Sequence, residues 1–303
     1  MSRTADSKAE KLSILGIISQ KMSDFSLLVK MKLNLWVVFS AIMGYLTASG
    51  TEVKITPLLL LAIGGFLVTG ASNALNQVLE REFDKQMKRT SNRPLAAGRM
   101  SVSEAVFAAG WMSLVGIGCL SLFNPLTGFL GMVSLITYAF IYTPMKRMSP
   151  TAVAVGAFPG ALPAAIGVIA VDGYISQLAI LLFTVQFLWQ FPHFWAIGWV
   201  GDEDYKKAGF NLMPSKDGKL DASIGKQSLA ICLLMTVNAG IGWYLGEFGL
   251  FSTMVVASMS LAFGYFGWKL QTEMTRKSAL AQMFASFVYL PIVLICIYLD
   301  KIF

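Results

Sequence analysis

The chain has 303 residues, of which 55% are hydrophobic and only 14% charged, with a formal net charge of +7. Soluble globular chains carry about a quarter charged residues and disordered chains are poor in apolar ones, so both classes are excluded. Three cysteines and 27 glycines exclude disulfide-rich and collagen-like chains as well.

An all-α membrane protein remains. A span needs about 20 mostly apolar residues. Nine such runs are centred near Val38, Phe66, Val115, Ser134, Ile166, Thr184, Met235, Ser258 and Val288. They are too long for barrel strands and do not alternate with period two, so a nine-transmembrane-helix bundle is expected. With nine spans, every Lys and Arg except Lys54 and Lys301 falls on one side. The positive-inside rule makes that side cytoplasmic, with the N-terminus cytoplasmic and the C-terminus outside. The lipid bilayer is thus a partner. The net charge follows from this sorting and does not argue for nucleic acid, because no compact soluble domain carries a basic groove.

Residues 1–25 (MSRTADSKAEKLSILGIISQKMSDF) form a polar arm without the apolar stretch of a secretory signal. The arm could be a short amphipathic surface helix or a frayed tail. Residues 26–303 read as a single transmembrane domain.

The second span ends in GASNALNQVLEREFDKQMKRTSNRPLAAGRM, residues 70–100. Asn73 lies at membrane depth. Asn76, Glu80 and Asp84 follow at spacing four, which on a helix stacks them on one face about 6 Å apart in rise. A column of oxygen ligands at a helix end suits Mg²⁺, which bridges one or two carboxylates to a substrate phosphate. The plain alternative is an ordinary helix end with i,i+4 neighbours, Asp84 facing Lys88 in a weak surface pair and Arg81 facing Lys85. That alternative leaves the polar groups at membrane depth unexplained. Lys88, Arg89, Arg93 and Arg99 follow, as phosphate forks or as ordinary positive-inside charge. Arg89 and Arg93 stand nearest the acidic column in register.

After the fourth span comes YAFIYTPMKRMSP. Tyr138, Tyr142 and Lys146 are spaced by four, so one face offers phenols and an ammonium, for phosphate or as an aromatic belt with a snorkelling lysine. The fifth span has Gly156 and Gly160 at small-residue packing distance, with Pro159 and Pro163 freeing carbonyls. The sixth span ends in WQFPHFWAIGWVGDEDYKKAGFNLMP. His193, the chain's only histidine, is either an interfacial side chain bonded to a carbonyl, or a base or iron ligand. Asp202, Glu203, Asp204, Tyr205, Lys206 and Lys207 follow as a solvated loop or as a second carboxylate site for a shared diphosphate. Cys119, Cys232 and Cys296 lie within apolar runs and read as small buried hydrophobes.

These motifs resemble the intramembrane prenyltransferase superfamily that includes 4-hydroxybenzoate polyprenyltransferase (UbiA-type enzymes). Within it they resemble most the haem O synthases, the protohaem IX farnesyltransferases, through NQVLEREFD…MKRTSNRPLAAGR, YTPMKR, GAFPGALPAAIG and WQFPHFWAI…EDYKKAGFNLMP. Glu80 stands where many members have Asp, Pro192 and His193 where many have an acid, and Lys30-Met31-Lys32 where many read Lys-Pro-Arg. The resemblance implies a cytoplasmic-face active site in the bacterial inner membrane. There the farnesyl group of farnesyl diphosphate passes to a vinyl group of haem B. Water adds, and haem O and diphosphate leave. Mg²⁺ would be held by Asn76, Glu80, Asp84 and Asp204. Asn73, Lys88, Arg89, Arg93, Lys146 and Lys207 would serve the diphosphate, and Tyr142, His193 and Tyr205 the acceptor or its water. A haem A synthase or terminal-oxidase assembly partner would lie downstream. Two rivals stand beside this reading: a sister enzyme with an aromatic quinone precursor as acceptor, and a transporter with an acidic ion path.

Overall fold

The structure is a computed structural model and describes residues 16–216, 219–221 and 223–303. Residues 1–15 of the expected arm lie outside the described residues. Residues 16–28 form helix α1, which runs across the 25/26 boundary of the expected arm, and Asp24 on it is buried. The spans follow as α2 (Met31–Ser49), α3 (Ile55–Asp84) and α4 (Val102–Ser121). The fourth is composite: α5 (Pro125–Ile136) widens into a π-helical turn (Thr137–Tyr142) and ends in α6 (Thr143–Met145). Then come α7 (Ala152–Asp172), α8 (Gln177–Val200), the short α9 (Asp202–Lys207), α10 (Ser223–Tyr244), α11 (Leu250–Glu273) and α12 (Arg276–Ile302). A two-residue antiparallel pair, β1 (Ser215–Lys216) with β2 (Lys219–Leu220), interrupts the helices. Among the described residues, nine helical segments are long and apolar enough to cross a membrane, and each contains one of the expected span centres.

The bundle is built around α7, the most buried of the nine spans. It packs on α2, α5 and α8. Its Ala164, Ala165, Val168 and Ile169 join an apolar core with α8, α10, α11 and α12. Its Leu162 and Ile166 join a second core with α1 to α5. Small residues make the shared wall possible. A Cβ on Gly44 of α2 would strike the Ala164 carbonyl, and one on Gly167 would strike the Ala41 carbonyl. The expected pair Gly156 and Gly160 instead accommodates side chains, the Tyr142 ring and the Gln190 amide. Pro163 leaves the Pro159 carbonyl without its helical donor, and Ser134 Oγ supplies one at 3.3 Å.

Two sides are distinct. On one, Arg99 pairs with Asp24 at 2.9 Å, Arg276 donates to the Val200 carbonyl at 3.1 Å, and the Asn211 amide donates to the Lys146 carbonyl at 2.8 Å. On the other, Lys301 pairs with Glu247 at 3.3 Å, and the Ser252 amide donates to Asp300 at 2.6 Å. The first side carries the basic loops.

Candidate active site

The last turns of α3 present two polar faces. Asn73 and Gln77 look toward the turn between α1 and α2. Asn73 Nδ2 donates to the Val29 carbonyl at 3.1 Å, and Gln77 Nε2 donates to the Leu27 and Leu28 carbonyls, each at 2.8 Å. Asn73 is thus committed to the backbone of that turn. The bracing fixes Lys30, which stands in the left-handed region at φ 50°, ψ 59°. Only a strongly held non-glycine residue keeps that conformation.

Asn76, Glu80 and Asp84 are all buried on the adjoining face. Each meets a cation. Lys30 Nζ donates to Asn76 Oδ1 at 2.8 Å, and Lys146 pairs with Glu80. Arg93 donates to both oxygens of Asp84 at 2.8 and 2.7 Å. The Asp84–Lys88 pair of the plain alternative does not form. Helix α3 stops at Asp84, so the chain turns away before Lys88, while Arg81 and Lys85 both pair with Glu82.

The composite fourth span closes the site. Asn76 Nδ2 donates to Thr143 Oγ1 at 3.1 Å, and Thr143 Oγ1 donates to the Tyr138 carbonyl at 2.9 Å, across the π-helical turn. The turn brings the Tyr138 and Tyr142 rings within 5.4 Å of each other. Lys146 Nζ lies 5.0 Å from the Tyr142 ring centre and 5.6 Å from that of Phe210. Phe210, Met87 and Ala208 form a small apolar floor, with Phe83, Tyr205 and Leu212 packed against it. Arg89 donates to Tyr205 Oη at 3.1 Å.

The structure therefore brings together Asn76, Glu80, Asp84, Tyr142, Lys146 and Arg93, with Tyr205 and Arg89 at the rim. Sequence reasoning missed Lys30 and Thr143. Lys88 and Lys207 are exposed and outside the buried set. Asp202 pairs with Lys206 at 2.8 Å, and Asp204 is half-buried and has no ion pair among the described residues. His193 faces α12, against Ser286. Among the described residues no three His, Cys, Asp or Glu side chains converge to hold a metal. Glu80, Asp84 and Asp204 are accordingly not a preassembled cage, because the α3 carboxylates are drawn to cations instead.

The donors still fit a hard cation. All are oxygens, as Mg²⁺ requires. Glu80 is buried, and its carboxylate is met by the Lys146 ammonium. The electrostatics also favour an anion. Burial, then the neighbouring Arg93 and Lys146 cations, hold the Lys30 ammonium well below the usual lysine value. Negative charge entering here would relieve that repulsion.

The profile of the UbiA prenyltransferase family matches residues 37–288. The chain is 44% identical over 279 residues to the protoheme IX farnesyltransferase of Cytophaga hutchinsonii, covering 91% of this chain and 96% of that one. It is 41% identical over 285 residues to the enzyme of the same name from Christiangramia forsetii, covering 92% and 94%. A solved structure of a digeranylgeranylglyceryl phosphate synthase superposes with a TM-score of 0.78 at 19% identity, over 93% of this chain and 99% of that one. A UbiA homologue from Archaeoglobus fulgidus bound to GPP and Mg²⁺ superposes with a TM-score of 0.60 at 14% identity, over 90% and 99%. These two share the fold.

Proposed function

Because the chain belongs to the UbiA prenyltransferase family, we propose that the cluster around Glu80 is where it transfers a farnesyl group to protohaem IX. The chain is a multi-span membrane enzyme that makes haem O by farnesyl transfer. Relatives of that name match over more than nine-tenths of both lengths, which favours haem over an aromatic quinone precursor as acceptor. The observation that carries the site assignment is the pairing of three oxygen groups with three cations: Asn76 with Lys30, Glu80 with Lys146 and Asp84 with Arg93.

Asn76, Glu80 and Asp84, with Asp204 opposite, would hold Mg²⁺. Bound Mg²⁺ would neutralise the diphosphate as a Lewis acid. Lys30 and Lys146 turn toward the phosphate oxygens, Arg93 reaches them while keeping Asp84, and Arg89 receives them at the rim. Their charge stabilises the negative charge that builds as the C1–O bond breaks and its electron pair leaves with diphosphate. The Tyr142 ring already carries a cation on its face and can support an allylic cation in the same way. The vinyl π electrons of the acceptor form the new bond to C1. Water adds to the resulting cation and loses a proton, leaving the hydroxyl. The buried surroundings keep water from C1 before that step.

The concentration of basic residues on the site's side supports a cytoplasmic-face active site in the bacterial inner membrane. Residues 1–25 would form the cytoplasmic arm of a single catalytic domain, and a haem A synthase or terminal-oxidase assembly partner would take the product.

The test is to express the chain in a bacterial host lacking haem O synthesis, extract the haems, and separate them by reverse-phase chromatography with mass detection. A late-eluting haem with a hydroxyethylfarnesyl group is expected, and it should vanish when Mg²⁺ is chelated in membranes. Haem B alone, from membranes containing the protein and binding farnesyl diphosphate, would overturn the acceptor.

A further inference from the structure

The carboxylates and cations around Glu80 suit a metal and a diphosphate. A second buried polar constellation lies where α8 meets α12. His193 is the only histidine in the chain, and only 9% of it is exposed. It stacks on Trp189 with ring centroids 4.5 Å apart and planes 19° from parallel. Phe287 and Phe194 meet it edge-on at 5.3 and 5.5 Å.

The hydrogen bonds around it select one tautomer. Ser286 Oγ lies 2.7 Å from His193 Nδ1. The hydroxyl has a single proton, and it is directed to the Met283 carbonyl at 2.5 Å. Ser286 Oγ therefore accepts from Nδ1–H, and the lone pair of the neutral ring sits on Nε2. Trp189 Nε1 donates to the Ser286 carbonyl at 2.9 Å and pins the same turn of α12. Nε2 itself has no hydrogen-bond partner among the described residues. The atom is not among the polar atoms that are sealed from solvent without a partner, so an incoming ligand can reach it. A histidine whose Nδ1–H is anchored so that Nε2 is bare is arranged as a metal ligand is.

A lone histidine cannot hold a bare ion, and no cluster of three ligands is available among the described residues. It suffices for an iron whose equatorial ligands come with its porphyrin. Depth agrees. Asn76 lies eight residues before the end of α3 and His193 seven before the end of α8, about 12 and 10 Å of helix rise on the same side. At that end of the seam, Arg276 joins α12 to the Val200 carbonyl at 3.1 Å, a cation at the level where acidic porphyrin side chains would leave the hydrocarbon.

We infer that His193 Nε2 is the axial ligand to the iron of the haem acceptor. Trp189 and Phe287 wall the macrocycle's approach, and Ser286 is the positioning residue that fixes the tautomer. This rests on haem being the acceptor, as proposed above.

The test uses the full chain in lipid nanodiscs, titrated with ferric protohaem and followed by visible and electron paramagnetic resonance spectra. Wild type should show one nitrogenous axial ligand. His193→Ala should lose that signature, and added imidazole should restore it, while Mg²⁺-dependent binding of farnesyl diphosphate persists. Ser286→Ala should keep nitrogen ligation but weaken haem binding by about tenfold, and it decides the matter should His193→Ala fail to fold. Unchanged spectra and affinity in both variants overturn the assignment of His193 and leave the reaction standing. A wild-type protein that binds farnesyl diphosphate but no haem overturns the acceptor itself, and this inference with it.

Discussion

Arg93 holds both carboxylate oxygens of Asp84 through one nitrogen, Nη1, at 2.8 and 2.7 Å. Among the described residues its Nη2 and Nε have no hydrogen-bond partner, which leaves them to a second anion. Arg93 can therefore bridge Asp84 to an arriving phosphate without releasing it, which a lysine, as a point charge, cannot do with the same geometry.

Removing one partner of so buried a pair leaves an uncompensated charge. Arg93→Ala should destabilise the protein by about 3–5 kcal/mol, seen as a lower midpoint in thermal unfolding of the purified protein. Asp84→Asn with Arg93→Ala should recover part of that loss. A double variant no more stable than the single would remove the pair from the account.

Lys146 occupies Glu80 before any metal arrives. Lys146→Gln should weaken inorganic pyrophosphate binding yet strengthen binding of free Mn²⁺ without pyrophosphate, since the carboxylate no longer has a resident cation. Electron paramagnetic resonance of free Mn²⁺ reads the second effect directly. Wild-type protein that binds free Mn²⁺ as tightly as the variant would contradict the exchange.

Lys30 separates fold from function. Its left-handed backbone costs a non-glycine residue about 1–2 kcal/mol, so Lys30→Gly should raise the unfolding midpoint slightly. The same change deletes the ammonium on Asn76 and should sharply reduce haem O formation. If Lys30→Gly kept wild-type turnover, the lysine would be only a turn residue.

Two glycines of α7 should differ. A methyl at Gly160 meets the Gln190 amide, which can withdraw by giving up its bonds to the Ala157 and Gln186 carbonyls, whereas a methyl at Gly167 meets backbone of α2. Gly160→Ala should cost about 1 kcal/mol and Gly167→Ala more, up to about 3 kcal/mol. Equal yields of folded protein and equal midpoints for the two would count against the close α2–α7 crossing.

The spans and the Asn76–Glu80–Asp84 face were legible because both follow from local periodicity. A helix of 3.6 residues per turn puts spacing-four residues together whatever surrounds them. The cations that meet this face were only partly legible. Lys146 and Arg93 lie near conspicuous motifs, but Lys30 reaches Asn76 across 46 positions through a turn whose left-handed conformation no glycine announces. The partner of Asn73 was illegible for a related reason: it is a backbone carbonyl of that same turn, and carbonyls leave no trace in side-chain spacing. His193 and Ser286 are 93 positions apart, so the tautomer it adopts could be read only from the folded seam.

Helix α7 belongs to both apolar cores, and its backbone touches that of α2. The two halves of the bundle thus share one wall, held close by its small residues. On the side opposite the site, the Lys301–Glu247 pair and the Asp300 cap on α11 tie the helix ends together. The buried charges around Glu80 thus sit toward one end of the bundle, while the opposite end is closed by an ion pair and a helix cap of its own.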